Sequence, residues 1–287
     1  MVFDISAGEV QALLPEYSIK QRLRPSAQKA VFIAEDKDKN KVALKIYNPH
    51  ANIERLRREI EVMMKLDSPY VASLIEFNQR VTAQGSIIYI VEEFVDGPDL
   101  ATVMENKDTM KEQELIPFLG KLLFGLRDIW EHKVVHRDIK PANIMINSNG
   151  DPVIIDFGIA RNLELETITQ TQLPIGLCTP KWGAPEQILN KKTFIDCRSD
   201  IYSLGLIAYE LVTGVHPIWK ESISFDDNLQ RMLSIQSPKL EKDMVHSSLG
   251  NYIYKMTQLE PFKRFRNPNI AIRNLKSIAD EIGCDFI

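Results

Sequence analysis

At 287 residues the chain is longer than an average single domain and suits two closely associated lobes. Its 44% hydrophobic and 26% charged residues are those of an ordinary soluble protein with a sizeable core. A net charge of −4 argues against a binder of duplex nucleic acid, which is normally basic. The basic runs at Arg55, Arg57 and Arg58 and at Lys263, Arg264 and Arg266 are short and read as solvated helix faces. Cys178, Cys197 and Cys284 lie far apart, with neither metal-ligand spacing nor a disulfide framework, which fits a reducing compartment. The N-terminus lacks the pattern of a signal peptide, and the most apolar stretch, Ile201 to Val212, is too short to span a bilayer. A cytoplasmic protein without a membrane span is the expectation.

In chain order, Tyr17 to Leu23, Ala30 to Glu35 and Lys41 to Tyr47 read as strands, the last two joined by the polar turn Asp36 to Asn40. Ile53 to Leu66 follows as a helix, with Leu56, Ile60, Met63 and Met64 on one stripe. Val71 to Phe77 and Ile87 to Phe94 read as further strands. Beyond Asp99 the pattern turns helical. Leu115, Phe118, Leu119, Leu122, Leu123, Leu126 and Ile129 form the wide stripe of a long buried helix. Further helices are predicted over Ile201 to Val212, Asp227 to Ile235, Leu249 to Met256 and Asn269 to Ile282. The seam at Asp96-Gly97-Pro98 separates a small strand-rich half, residues 1–95, from a larger helical half, residues 96–287. A cleft between such halves is a natural ligand site.

Two strings carry chemistry. His136-Arg137-Asp138-Ile139-Lys140-Pro141-Ala142-Asn143 follows the long helix, and Asp156-Phe157-Gly158 lies between apolar segments downstream. Either alone is common; together, at this spacing, they resemble the catalytic loop and metal-binding turn of the eukaryotic-like (Hanks-type) serine/threonine protein kinases. The wording of both strings looks bacterial in style. The resemblance runs from about Tyr17 to Ala279 and implies an α+β, two-lobed kinase fold. It implies ATP and Mg²⁺ as the nucleotide and the cation. Phosphoryl transfer needs positioning and charge neutralisation more than covalent help. On this resemblance Asp138 accepts or orients the substrate hydroxyl proton, Lys140 sits by the γ-phosphate, and Asn143 and Asp156 hold Mg²⁺. His136 and Phe157 pack in the apolar stack that keeps Asp156 aimed inward. Lys140 within the loop marks the serine/threonine branch.

Val42-Ala43-Leu44-Lys45 resembles V-A-I-K, which implies that Lys45 binds the α- and β-phosphates. Glu59 is its expected partner on the following helix; Glu54 and Glu61 are the rivals. Tyr89 to Gly97 looks like the hinge between kinase lobes. Adenine would then bond to backbone at Glu93 and Val95, with Val31, Ala43 and Met145 packing its faces. Glu92 would line the back of this site, where kinases usually carry an apolar residue or threonine. A buried carboxylate there needs a partner and could compete with Glu59 for Lys45. Thr179 to Glu186 resembles the end of an activation segment, with Cys178 where glycine is common. Thr179 is expected to bond to Asp138 and Lys140, Glu186 to pair with Arg264, and Asp200 to support the catalytic-loop backbone. Small-molecule kinases of related fold typically lack the Ala184-Pro185-Glu186 element.

The departure lies in the phosphate loop. Arg24, Ser26 and Lys29 stand at the three positions where the family has glycine, which hinders close backbone approach to phosphate. Either the altered turn still works, or Ser26 and Lys29 (or Arg24) reach phosphate through their side chains. Arg137 before Asp138 is a feature of kinases controlled by activation-segment phosphate, with Arg161 as a second phosphate partner and Thr167, Thr169 and Thr171 as acceptors. The expected partners are proteins with Ser/Thr acceptors, together with self-association for trans-autophosphorylation. Receptor members of the family carry a membrane span and an outer domain; with neither in view, a free-standing soluble kinase is expected. The alternative is a pseudokinase or scaffold, supported by the glycine-free loop and by Glu92.

Overall fold

A computed structural model of the protein describes residues 5–23, 29–47, 60–82, 85–106, 108–156 and 178–287. These fall into two compact units. One holds the described residues up to Ser68 together with Ala72–Val95; the other holds Pro69–Val71 and the described residues from Asp96 onward.

The first unit is built on a five-stranded antiparallel sheet in the order β1-β2-β3-β5-β4. Its strands are β1 (Ser18–Arg22), β2 (Lys29–Glu35), β3 (Lys41–Tyr47), β4 (Leu74–Thr82) and β5 (Gly85–Glu93). Side chains alternate between the faces of a strand, so register decides which residues meet. Ala30, Phe32, Ala34, Val42, Leu44, Ile46, Tyr89 and Val91 share one face and form a core with Val10 and Leu14. Those two belong to helix α1 (Ala7–Leu13) and its C-terminal cap, an element the apolar pattern did not predict. Its signature is a capping box: Ser6 Oγ accepts from the Glu9 N–H at 3.2 Å, and the Ser6 N–H donates to Glu9 Oε2 at 2.8 Å. Glu76 ties the helix side to the sheet, accepting from the Tyr17 hydroxyl at 2.5 Å and the Tyr89 hydroxyl at 2.6 Å. Burial and the Glu76 carboxylate together push the Tyr89 phenol up to about 12.

The β2–β3 turn forms where the polar run predicts it. Asp36 Oδ1 accepts from the N–H groups of Asp38 and Asn40, and Lys39 takes a left-handed φ of 66°. The strand expected over Val71 to Phe77 instead runs over Leu74–Thr82, because Val71 belongs to the helical unit and makes an isolated parallel bridge to Ile154 there.

The second unit is helical. The 20-residue α3 (Glu112–Glu131), which follows the short α2 (Leu100–Met104), buries the predicted apolar stripe. The two-stranded β6 (Ile144–Ile146) and β7 (Pro152–Ile154) follow the catalytic-loop string. After the single turn α4 (Pro185–Ile188) comes α5 (Cys197–Thr213), capped by Asp196 at its start and by Gly214 in left-handed geometry at its end. Helices α6 (Phe225–Ser234), α7 (Ser247–Met256) and α8 (Pro268–Ile282) complete the unit. Gly97 is required by close approach: a Cβ there would lie 1.8 Å from the Ile146 carbonyl oxygen, at a φ of 153°. An antiparallel-sheet unit followed by a helical one is the α+β plan of the two-lobed protein kinase fold. Among the described residues no helix is long and apolar enough to cross a membrane.

Candidate active site

In the helical unit, the His136–Asn143 string is a loop ending in a 3₁₀ turn, Pro141–Asn143. Its backbone is held from α5: Asp200 accepts the His136 N–H at Oδ2 and the Arg137 N–H at Oδ1, both at 2.9 Å. Asp200 is fully buried, and burial pushes its carboxyl up to about 7, against the opposing pull of those two backbone N–H groups. Gln187 Nε2 adds a third brace by donating to the Arg137 carbonyl at 2.9 Å. Arg137 itself has a φ of 67° and Asp156 a φ of 64°, left-handed values that side chains rarely adopt and that a surrounding framework must enforce. The buried His136 ring accepts the Asp138 N–H at Nδ1 (3.3 Å), so Nε2 carries the proton and donates to the Ile155 carbonyl at 3.1 Å.

With the loop fixed, its side chains converge on one carboxylate. Asp138 Oδ1 accepts from the Thr179 hydroxyl at 2.9 Å. Its Oδ2 lies 2.9 Å from Lys140 Nζ, which also donates to Thr179 Oγ1 at 3.2 Å. Asn143 Nδ2 donates to the Asp138 carbonyl at 2.8 Å and to Oδ2 at 3.2 Å. A carboxylate held in this way is a fixed proton acceptor, and the Asn143 amide has its oxygen left for a cation.

The segment that brings Thr179 to Asp138 is anchored further along. Glu186 and Arg264 form a bidentate pair, Nη1–Oε1 at 2.7 Å and Nη2–Oε2 at 3.0 Å, with side chains 3% and 0% exposed. Ser199 Oγ donates to Glu186 Oε1 at 2.6 Å. Trp182 packs edge-on against His216, whose burial drives the imidazole down to about 3.

In the sheet unit, Val31, Ala43 and Lys45 lie on the sheet face opposite the α1 core, as the registers Val31↔Lys45 and Ala43↔Glu92 require. Lys45 forms an ion pair with Glu92, and both are buried. The Glu93 N–H donates to the Ser73 carbonyl at 2.9 Å, and Val95 is buried. Lys29 Nζ lies 6.0 Å from the centre of the Tyr47 ring. Met145 is half-buried on β6 in the helical unit, in a bridge to Asp99.

The family described as protein kinase domain matches residues 27–274. The chain belongs to the protein kinase family. Among curated kinases it is similar to the serine/threonine-protein kinase PrkC of Bacillus subtilis, at 30% identity over 92% of this chain and 40% of that protein. It is also similar to PknB of Mycobacterium leprae, at 36% over 58% of this chain and 26% of that protein, and to PknA of Corynebacterium glutamicum, at 30% over 72% and 45%. The chain thus spans between about a quarter and under half the length of these relatives.

For a kinase, the described residues bring together Asp138, Lys140, Asn143 and Thr179, and separately Lys45 and Glu92. Glu59, Arg24, Ser26, Phe157, Arg161, Thr167, Thr169 and Thr171 lie outside the described residues. Sequence reasoning missed Gln187 and Ser199. Gln187 sits beside Glu186 in the activation-segment motif, which was the available signal; nothing near Ser199 in sequence announces its bond to Glu186.

Proposed function

We propose that the chain is a Mg·ATP-dependent protein kinase that phosphorylates serine and threonine hydroxyls, including acceptors on its own activation segment. The observation that carries this reading is the Asp138 carboxylate held by Thr179, Lys140 and Asn143. In the reaction the acceptor oxygen forms a bond to the γ-phosphorus while the bond from that phosphorus to the β–γ bridging oxygen breaks, and ADP leaves with the electron pair. Asp138 receives the hydroxyl proton at a carboxylate oxygen whose direction Thr179, Lys140 and Asn143 help to fix. Lys140, ion-paired to Asp138, brings positive charge to the transferring group.

The donors fit Mg²⁺, which prefers hard oxygen ligands: the Asn143 amide oxygen and the Asp156 carboxylate would hold it. When bound, the cation neutralises charge on the phosphates. Lys45 would hold the α- and β-phosphates. Val31, Ala43 and Met145 would pack adenine, with backbone at Glu93 and Val95 as its hydrogen-bonding partners. Lys29 and Ser26 are the candidate side-chain contacts to phosphate. Proteins with Ser/Thr acceptors are the proposed substrates, with self-association for trans-autophosphorylation. The net negative charge supports no role in nucleic-acid binding. Three free cysteines support a cytoplasmic setting.

Incubation with labelled Mg·ATP and a generic protein substrate tests the reading beside Asp138→Asn and Asp156→Ala. Label on protein with the wild type and not with the variants is expected. Equal label in all three would defeat it, and label on small molecules alone would point to a different phosphotransferase class.

A further inference from the structure

We propose that Glu92 is the positioning residue for Lys45: a carboxylate supplied by the sheet itself, in the part that the resemblance gives to Glu59. This inference rests on the kinase reading above, in which Lys45 meets the phosphates.

The argument starts from register. β3 and β5 are antiparallel neighbours in which Lys45 is opposite Ile90 and Ala43 is opposite Glu92. Lys45 and Glu92 are therefore diagonal neighbours on one face, a separation that two long side chains span. They do span it: Nζ and Oε2 are in direct hydrogen-bonded contact, with the side chains only 4% and 3% exposed. A carboxylate buried on an otherwise apolar face is costly unless it is paired, and so is a buried ammonium. Each therefore fixes the other. Ile88 and Ile90, on the same face of β5, are both fully buried, so the pair sits on an apolar stretch of that strand.

The source of the carboxylate sets the consequence. In the general kinase scheme the strand lysine is paired by a glutamate on a separate helix, and moving that helix switches the site. Here Glu92 lies two positions along the neighbouring strand from the residue opposite Lys45, locked by the backbone ladder from Val42↔Glu93 to Tyr47↔Ile88. Moving a helix does not break that pair. An ammonium has three donors, and the pair with Glu92 takes one of them. Glu92 thus holds Lys45 ready for nucleotide, and the position where kinases place an apolar residue carries a constitutive anchor.

The test measures the dissociation constant for Mg·ATP by titration calorimetry, and kcat and KM for phosphoryl transfer, on the full chain. The variants are Glu92→Gln, Glu92→Asp, Glu59→Gln, Lys45→Met and the double variant Glu92→Gln/Lys45→Met. Glu92→Gln is expected to weaken nucleotide binding by about tenfold or more, the effect of losing one charge-assisted contact. Glu92→Asp, which keeps the charge, is expected to recover part of that loss, and Glu59→Gln to cost less than Glu92→Gln. In the Lys45→Met background Glu92→Gln is expected to add less than about twofold, because an effect exerted through Lys45 vanishes with Lys45. A merely structural role would persist there and would overturn the proposal. Tighter nucleotide binding or faster turnover in Glu92→Gln would identify a lock instead of an anchor and overturn it too. So would a loss in Glu59→Gln equal to or larger than that in Glu92→Gln. Nucleotide binding without transfer by the wild type would defeat only the enzyme reading, since the binding arms still decide the anchor; no nucleotide binding at all would defeat both.

Discussion

Replacing Arg264 by lysine keeps the charge and removes the fork. The Arg264 guanidinium uses all five of its N–H groups. Nε donates to the Gln258 carbonyl at 2.7 Å, Nη1 to Glu186 Oε1 and the Arg198 carbonyl, and Nη2 to Glu186 Oε2 and the Leu259 carbonyl. The guanidinium also stacks 4.6 Å above the Tyr202 ring. Lysine offers three donors from a single point, so at least two of the five acceptors lose their partner in a site that is 0% exposed at Arg264. Each unsatisfied buried acceptor costs about 1–3 kcal/mol, which gives about 2–6 kcal/mol for Arg264→Lys. Arg264→Ala, which strands the Glu186 charge, should cost no less than about 3–5 kcal/mol. Thermal and guanidinium unfolding read this directly. For a chain of this size about 2–4 °C of Tm accompanies each kcal/mol, so a drop of at least about 4 °C is expected for the lysine variant. Because Glu186 closes the segment carrying Thr179, KM for a protein substrate should rise in the same variant while the dissociation constant for nucleotide stays put. A stability loss below about 1 kcal/mol would refute the reasoning, for it would mean that the buried fork does not hold the segment.

Two buried groups set opposing pH dependences. Asp200, raised to about 7, contributes stability that is fully present below the ordinary aspartate range and is lost as pH rises toward 7. His216, lowered to about 3, contributes stability that is fully present above the ordinary histidine range and is lost as pH falls toward 3. Between pH 5 and 7 each slope amounts to about 2 kcal/mol and they nearly cancel. Asp200→Asn should therefore expose a loss of stability at pH 5 relative to pH 7, and His216→Gln the reverse, by guanidinium unfolding at the two values. Asp200→Asn should also abolish turnover, since the His136 and Arg137 N–H groups bond to different carboxylate oxygens and an amide nitrogen at either place cannot accept. Thr179→Val removes the hydroxyl that bonds Asp138 and Lys140 and should lower kcat by about 10–100-fold, with Thr179→Ser near wild type in a phosphotransfer assay. Gly97→Ala should prevent soluble expression or lower Tm sharply, because its Cβ would meet the Ile146 carbonyl oxygen.

What could be read from residues alone followed from contacts that are local in the chain. The catalytic loop, the capped Asp36 turn and the long apolar stripe of α3 are each specified within a few turns or residues, so their spacing already encodes their shape. Asp138, Lys140 and Asn143 lie within one such loop, and their grouping was legible for that reason. The Ser6–Glu9 capping box was legible too but went unread, because α1 is short and only Val10 within it is buried. The sequence by itself thus pointed to most of the strands and helices and to the kinase family, and it placed Asp138, Lys140 and Asn143 in one loop. The family resemblance, not any spacing, anticipated the supports that Asp200 and Arg264 give; tertiary structure supplied their geometry and brought Glu92 to Lys45. Asp200 reaches the loop across 64 residues, Arg264 reaches Glu186 across 78, and Lys45 reaches Glu92 across 47. No spacing rule fixes such partners. Burial makes each of them obligatory, since a charge taken out of water must find its counterion among whatever groups the fold brings near. For Lys45 that group is set by the strand register of a sheet, and register exists only once the strands have paired.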